Sequence, residues 1–175
     1  MLNTEFINNM EKITFQDFIG KNIKELNILH NVKTRHRHVM EKNKHYMSSE
    51  IPYYFYDKVY SKLKVSTDKH NIIQDITIYI HGLIDENFYN SFNNDYGIPD
   101  EILIEKDTTI INDNKLEGDI SSRATSWLTT FKKGTFQENP LLIKWYKGKY
   151  QIVCFLKREI NVTEIRFSIP RDDFK

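Results

Sequence analysis

A chain of 175 residues with 39% hydrophobic residues, 11 Phe and 10 Tyr has the length of one domain and the material for a core without disulfide or metal staples. Only 6 Gly and 4 Pro argue against a linker-rich or disordered chain, and the lone Cys154 excludes an internal disulfide. The formal net charge of +1 hides segregation: from Asp85 to Asp119 ten acidic residues face only Lys106 and Lys115, a local balance of −8 that leaves about +9 elsewhere. The opening MLNTEFINNMEKITF carries early charges and no apolar run of signal length. No stretch approaches the ~20 apolar residues of a membrane span, so a cytoplasmic location is expected.

In chain order, Thr14 and Asp17 are spaced as a capping box ahead of Phe15, Phe18 and Ile19, with Gly20 as a stop. A second short helix is predicted through Ile23, Leu26 and Ile28. His30 to His45, HNVKTRHRHVMEKNKH, is the most basic and histidine-rich stretch and reads as an exposed loop or frayed strand. Tyr53 to Tyr60 is compatible with a helix through Phe55, Val59 and Leu63, but its aromatic density and the Asp57-Lys58 pair favour strand, turn, strand. Leu63, Val65 and Thr67 alternate with Lys62, Lys64 and Ser66, and Asp68 to Asn71 has turn composition, so a hairpin is expected. Ile76, Ile78 and Ile80 alternate with Thr77 and Tyr79 as a half-buried strand. A helix follows at once: Asp85 caps it, Glu86 suits its dipole, Phe88 and Phe92 lie one turn apart, Gly97 ends it and Pro99 forbids continuation.

Ile102 and Ile104 suggest a short strand, after which Asp107 to Ser122 reads as a long acidic loop with Asn112, Asp113, Asn114 and Gly118 as turn formers. Trp127 to Phe131 is strand or short helix, ended by Lys132, Lys133 and Gly134. Leu141, Ile143 and Trp145 share a strand face, Lys147-Gly148 turns the chain, and Ile152, Cys154 and Leu156 alternate with Val153 and Phe155 in a strand apolar on both faces. A turn at Lys157 to Asn161 leads to Ile165, Phe167 and Ile169. NIIQDITIYI and INVTEIRFSI resemble one another, as a duplication or as two strands obeying the same physics. The whole, residues 1–175, is predicted to be a single α+β domain: a largely antiparallel sheet of hairpin, helix and meander packed on one main helix, with short N-terminal helices.

Chemical motifs are scarce. The sequence holds no phosphate loop, G-x-G-x-x-G, G-x-S-x-G or H-E-x-x-H. His36 and His38, with His30 or His45, have the residue types of a metal site, yet their basic surroundings repel a dication. A histidine-dependent ribonuclease would use a pair such as His36 and His81 as acid and base, with a lysine on the phosphate. Cys154, within an apolar strand, is expected to be inert, and Trp127 and Trp145 to be core or rim anchors. No enzyme activity, cofactor or metal is expected.

The acidic stretch is either plain solvated surface or a phosphate mimic that steers a basic partner. The AT-rich composition (Asn, Lys, Ile, Tyr), the IYIHGLIDENFYNSFNNDYGIP strand–helix unit, the acidic segment and the missing catalytic motifs together resemble the small immunity proteins of bacterial toxin systems, such as those of contact-dependent growth inhibition. The resemblance implies a noncatalytic protein that binds a cognate toxin, often a basic nuclease, and blocks its active site or nucleic-acid groove. The expected contact residues are Asp100, Glu101, Glu105, Asp107, Asp113, Glu117 and Asp119, with no membrane and no direct nucleic-acid contact. The alternative is a nucleic-acid-binding protein or histidine-dependent nuclease working through His30 to His45.

Overall fold

The computed structural model describes residues 14–30, 33–34, 44–48, 53–116 and 122–170. Among the described residues ten strands lie in one sheet: β1 (Lys33–Thr34), β2 (Lys44–Ser48), β3 (Tyr53–Phe55), β4 (Lys58–Thr67), β5 (Ile73–His81), β6 (Glu101–Leu116), β7 (Ser122–Lys133), β8 (Leu142–Tyr146), β9 (Gln151–Lys157) and β10 (Val162–Ser168). Their order is β1-β2-β4-β5-β10-β9-β8-β6-β7, with β3 also on β4, and every pairing is antiparallel. Two α-helices are described, α1 (Ile23–His30) and α2 (Glu86–Tyr96), beside three single 3₁₀ turns. The fold is therefore mostly antiparallel sheet. No described helix is long and apolar enough to cross a membrane.

Alternation decides which way the sheet faces. Leu63 and Val65 of β4, Ile76, Ile78 and Ile80 of β5, Ile165 and Phe167 of β10, Ile152, Cys154 and Leu156 of β9, and Ile143 and Trp145 of β8 are all buried in one cluster. Phe88, Phe92 and Tyr96 of α2, Ile23 and Leu26 of α1, and Phe15 from the first 3₁₀ turn close over that face. Rings set its geometry: Phe92 meets Trp145 edge-on at 4.9 Å between centroids, and Phe15 lies 5.8 Å from Phe167. Trp145 also donates its indole N–H to the Gly97 carbonyl at 3.0 Å, tying the end of α2 to β8.

The signals around α2 act as their chemistry requires. The Asp85 carboxylate accepts the Phe88 amide at 2.9 Å, and Gly97 takes φ +74° while its amide bonds the Asn93 carbonyl at 2.7 Å. Residues 53–60 form a hairpin whose turn is Tyr56-Asp57. Tyr56 adopts φ +56°, a left-handed conformation for which its side chain gives no preference; its ring packs against Phe55, Phe88 and Phe92 and its hydroxyl bonds Asp95. The turn after β4 forms as expected, with Asp68 Oδ1 accepting the amides of His70 and Ile72 at 2.8 and 2.9 Å.

Two expectations need correction. Thr14 and Asp17 bond to each other through their side chains over a single 3₁₀ turn, Phe15–Phe18, rather than capping an α-helix. The predicted acidic loop from Asp107 to Ser122 is mainly strand: β6 runs to Leu116 and β7 begins at Ser122. Its polar composition belongs to a two-stranded ladder, not to an absence of secondary structure.

The look-alike segments NIIQDITIYI and INVTEIRFSI become β5 and β10, and they pair with each other. Ile76 faces Phe167, Ile78 faces Ile165 and Ile80 faces Thr163. The two segments share one position, antiparallel neighbours in the middle of the sheet over the same core.

Candidate partner-binding surface

β8 pairs with β6 only at Glu101–Leu103, whereas β6 and β7 pair with each other from Leu103–Lys133 out to Leu116–Ser122. From Glu105 onward the hairpin is a two-stranded ribbon attached to the sheet at one end. Glu105 to Thr109 on β6 and Thr130 to Lys133 on β7 are exposed, including Phe131 at 52%. The hydroxyls of Thr108 and Thr129 meet across the ribbon at 2.9 Å, and Thr130 donates to the Asp107 carbonyl at 3.3 Å.

Seven acidic residues are expected on one outward surface; of the four whose side chains are described, Asp100 and Glu101 sit apart from Glu105 and Asp107. Asp100 accepts the Tyr146 amide at 2.7 Å, and Glu101 pairs with Lys144 at 2.7 Å, so both fasten the ribbon root to β8. Glu105 accepts the Thr108 hydroxyl at 2.5 Å. A bulge at Lys106 then shifts the register: Glu105 is opposite Phe131 and Asp107 opposite Thr130, which puts the two acids on opposite faces. Asp113 is opposite Thr125 farther along the ladder, and Glu117 and Asp119 lie outside the described residues.

Pairing also changes the electrostatics. Strand β6 is acidic on its own, but between Ile104 and Lys133 the five acids Glu105, Asp107, Asp113, Glu117 and Asp119 are matched by Lys106, Lys115, Arg123, Lys132 and Lys133. The hairpin is formally neutral. A long-range field from this element is correspondingly weak, and what it offers is shape, exposed backbone and local polar contacts.

Of the other candidates, His30 ends α1 and His45 lies in β2, opposite Ser66, while His36 and His38 lie outside the described residues. His81 is the exposed last residue of β5. Cys154 is fully buried on the core face, and burial pushes its thiol far above the ordinary range. Lys58 hydrogen-bonds the Asp85 carboxylate; that contact first, and the Phe88 amide second, hold Asp85 below the usual carboxylate range, while Lys58 is raised by the same bond. Among the described residues, no three His, Cys, Asp or Glu side chains come together as a metal site would need.

The sheet face turned away from α2 also carries candidate groups. Lys62 Nζ lies 4.5 Å from the centroid of the Tyr79 ring, and the Arg166 guanidinium 5.5 Å from that of Phe155. Beside Tyr79 a hollow of about 330 Å³ opens, lined by Lys62, Tyr79, Ile80, His81, Ile160, Val162 and Glu164. The outward period of Lys62 and Lys64 was a visible signal; that β5 and β9 flank β10 was not. No known protein family, curated protein or solved structure matches the chain.

Proposed function

We propose that this is a noncatalytic inhibitor of the toxin-immunity type, which neutralises a cognate bacterial toxin, a nuclease in the favoured reading, by inserting the β6–β7 ribbon into its active site or nucleic-acid groove. In this reading the sheet, with α2 as its main supporting helix, is the rigid base and the ribbon the contact element. The observation that carries the reading is the ribbon's isolation. A two-stranded hairpin is at best marginally stable in water without a face to pack on, and the exposure of Glu105 to Thr109 and Thr130 to Lys133 suits a packing partner outside the chain. Glu105 and Asp107 on opposite faces suit a ribbon gripped from both sides in a cleft better than a flat patch. Asp113 farther along β6 belongs to the same contact set, with Glu117 and Asp119, which lie outside the described residues, while Asp100 and Glu101 act at the root.

The test is growth rescue. The chain is coexpressed with the toxin encoded by the adjoining reading frame, beside a variant in which Thr108 to Thr129 are replaced by an Asn-Gly turn. The intact chain should restore growth and the shortened one should not, although its sheet still folds. Rescue by the shortened variant would remove the ribbon from the interface, and failure of the intact chain would remove the immunity function.

A further inference from the structure

We propose that the sheet face opposite α2 is a platform for single-stranded nucleic acid, with one base held in the hollow beside Tyr79 and the backbone phosphates drawn to Lys62, Lys64 and Arg166. The proposal is independent of the ribbon and departs from the expectation that the chain makes no direct nucleic-acid contact.

Register assembles the site. Lys62, Tyr79, Glu164 and Phe155 form one row across β4, β5, β10 and β9, and Lys64, Thr77, Arg166 and Val153 form the next. Tyr79 and Phe155 are thus two strands apart, about 10 Å, a separation that nearby bases of one extended strand can bridge. Each ring carries a cation, Lys62 at 4.5 Å and Arg166 at 5.5 Å. Stacking on rings and on guanidinium planes, with lysines along the backbone, is how proteins hold single strands without a sequence code.

Charge favours a polyanion. Glu164, the acid in the first row, is bonded to Lys157 and so is balanced within the chain. Lys62, Lys64 and Arg166 make no ion pair with a described carboxylate, and Arg166 Nε is buried without a hydrogen-bond partner. The hollow adds an apolar seat: Tyr79, Val162 and Ile160, the last 65% exposed, line it, and the Glu164 carboxylate in the same lining can accept a base amino group. An acidic peptide would satisfy the cations but would leave the hollow and the rings unused. Among the described residues both helices lie on the other face; on this one Lys62, Lys64, Tyr79, Phe155 and Arg166 are half-buried, while Thr77, Val153 and Glu164 between them are buried, so a ligand would meet the long side chains and the hollow rather than the sheet floor.

The full-length chain is titrated into fluorescein-labelled oligo(U) and oligo(dT) of about 12 nucleotides, with anisotropy read at about 50 mM and about 200 mM salt. Saturable binding is expected, with a logarithmic salt slope of about −2 for three cations on a single strand. The Lys62→Glu/Lys64→Glu variant should lose binding at both salts. Ile160→Ser, at an exposed position that folding does not need, should weaken it about tenfold without moving the salt slope. Preference for oligo(U) over oligo(dT) would assign RNA, and equal binding single strands in general; both support the platform. The proposal is overturned by no saturation at about 0.1 mM protein, by binding indifferent to both variants, or by displacement with poly-glutamate as efficient as with unlabelled oligonucleotide, which would mark an acidic protein as the occupant. Circular dichroism melts of both variants confirm that lost binding is not lost folding.

Discussion

The middle of the sheet and the ribbon are built from the same secondary structure and differ in almost everything else. In β4, β5, β10, β9 and β8 every second side chain enters a core shared with α2, so each strand is fixed by packing on one face and by neighbours on both edges. Among the described residues, in the ribbon past Glu105 strand β6 has only β7, and β7 is the last strand of the sheet. Ladder hydrogen bonds alone specify little, because each replaces a bond to water and the net gain is about 1 kcal/mol. Burial sets the difference: stability lies in the sheet body, and the ribbon is where sequence can change at little cost to folding.

The sharpest way to break this comparison is to remove a core ring. Phe92 packs on Phe55, Phe88, Tyr96 and Trp145 and is 1% exposed. Phe92→Ala should cost about 3–5 kcal/mol in urea denaturation, enough to unfold much of a marginally stable chain. A loss below about 1 kcal/mol would mean that α2 is not held by this cluster.

Next in size is the joint between the two regions. Gly134 follows β7, donates its amide to Ile102 at 3.0 Å, and does not have a positive φ. Its reason for being glycine is space. A Cβ there would stand 2.7 Å from Cγ2 and 2.9 Å from Cδ1 of Ile104, whose branched chain is 6% exposed and has few other rotamers. Gly134→Ala should therefore destabilise by about 1–3 kcal/mol, and a Gly134→Ala/Ile104→Val double variant should recover part of it. A stabilised single variant would show that Ile104 moves freely and that the ribbon root is loose.

A smaller effect is expected at the start of α2. Asp85→Ala removes both the cap to Phe88 and the Lys58 partner and should cost about 1 kcal/mol. Asp85→Asn keeps the cap and drops only the exposed ion pair, for a few tenths of a kcal/mol. Because Asp85 titrates below its unfolded value of about 3.9, its contribution is fully present above that pH and is lost as pH falls through the lower folded value. The wild-type minus Asn difference in thermal midpoint should accordingly be constant from neutral pH to about 5 and shrink below about 4. A difference that grows on acidification would reverse the assigned role of Lys58.

What could be read from the sequence follows the same division. The boundaries of α2 were legible because Asp85, Gly97 and Pro99 act locally, and β5 and β9 because a buried face imposes a period of two. The strand, turn, strand course of residues 53–60 was legible in the aromatic density and the Asp57-Lys58 pair, but the left-handed Tyr56 in that turn was not, since a tyrosine at φ +56° is held by Phe55, Phe88 and Phe92, two of them distant in sequence. Strand β6 was hidden twice over. Bulges near Lys106 and Ile111 put its alternation out of phase, and Asn112, Asp113 and Asn114 carry turn composition inside a ladder that continues to Leu116. Register was the deeper gap: which acids meet Lys144 or the Tyr146 amide, and which fall on opposite faces, depends on strand partners chosen across the whole chain. The same gap concealed the rows that join Lys62 to Phe155.

The smallest expected change in stability is also the one that bears most on function. Glu105 and Asp107 are exposed, and the one described side-chain contact either makes is the bond from Thr108 to Glu105. Glu105→Lys/Asp107→Lys should therefore leave the denaturation midpoint within about 0.5 kcal/mol of wild type. If the ribbon lies in a cationic cleft, the same variant should slow association with the partner and steepen the loss of binding with added salt, because it sets like charges together where the complex forms. Unchanged binding would shift the contact to the ribbon's backbone and the β7 edge, where strand addition needs no carboxylate. A large fall in stability would mean instead that the ribbon is folded against the body, and the contrast between the two regions would be lost.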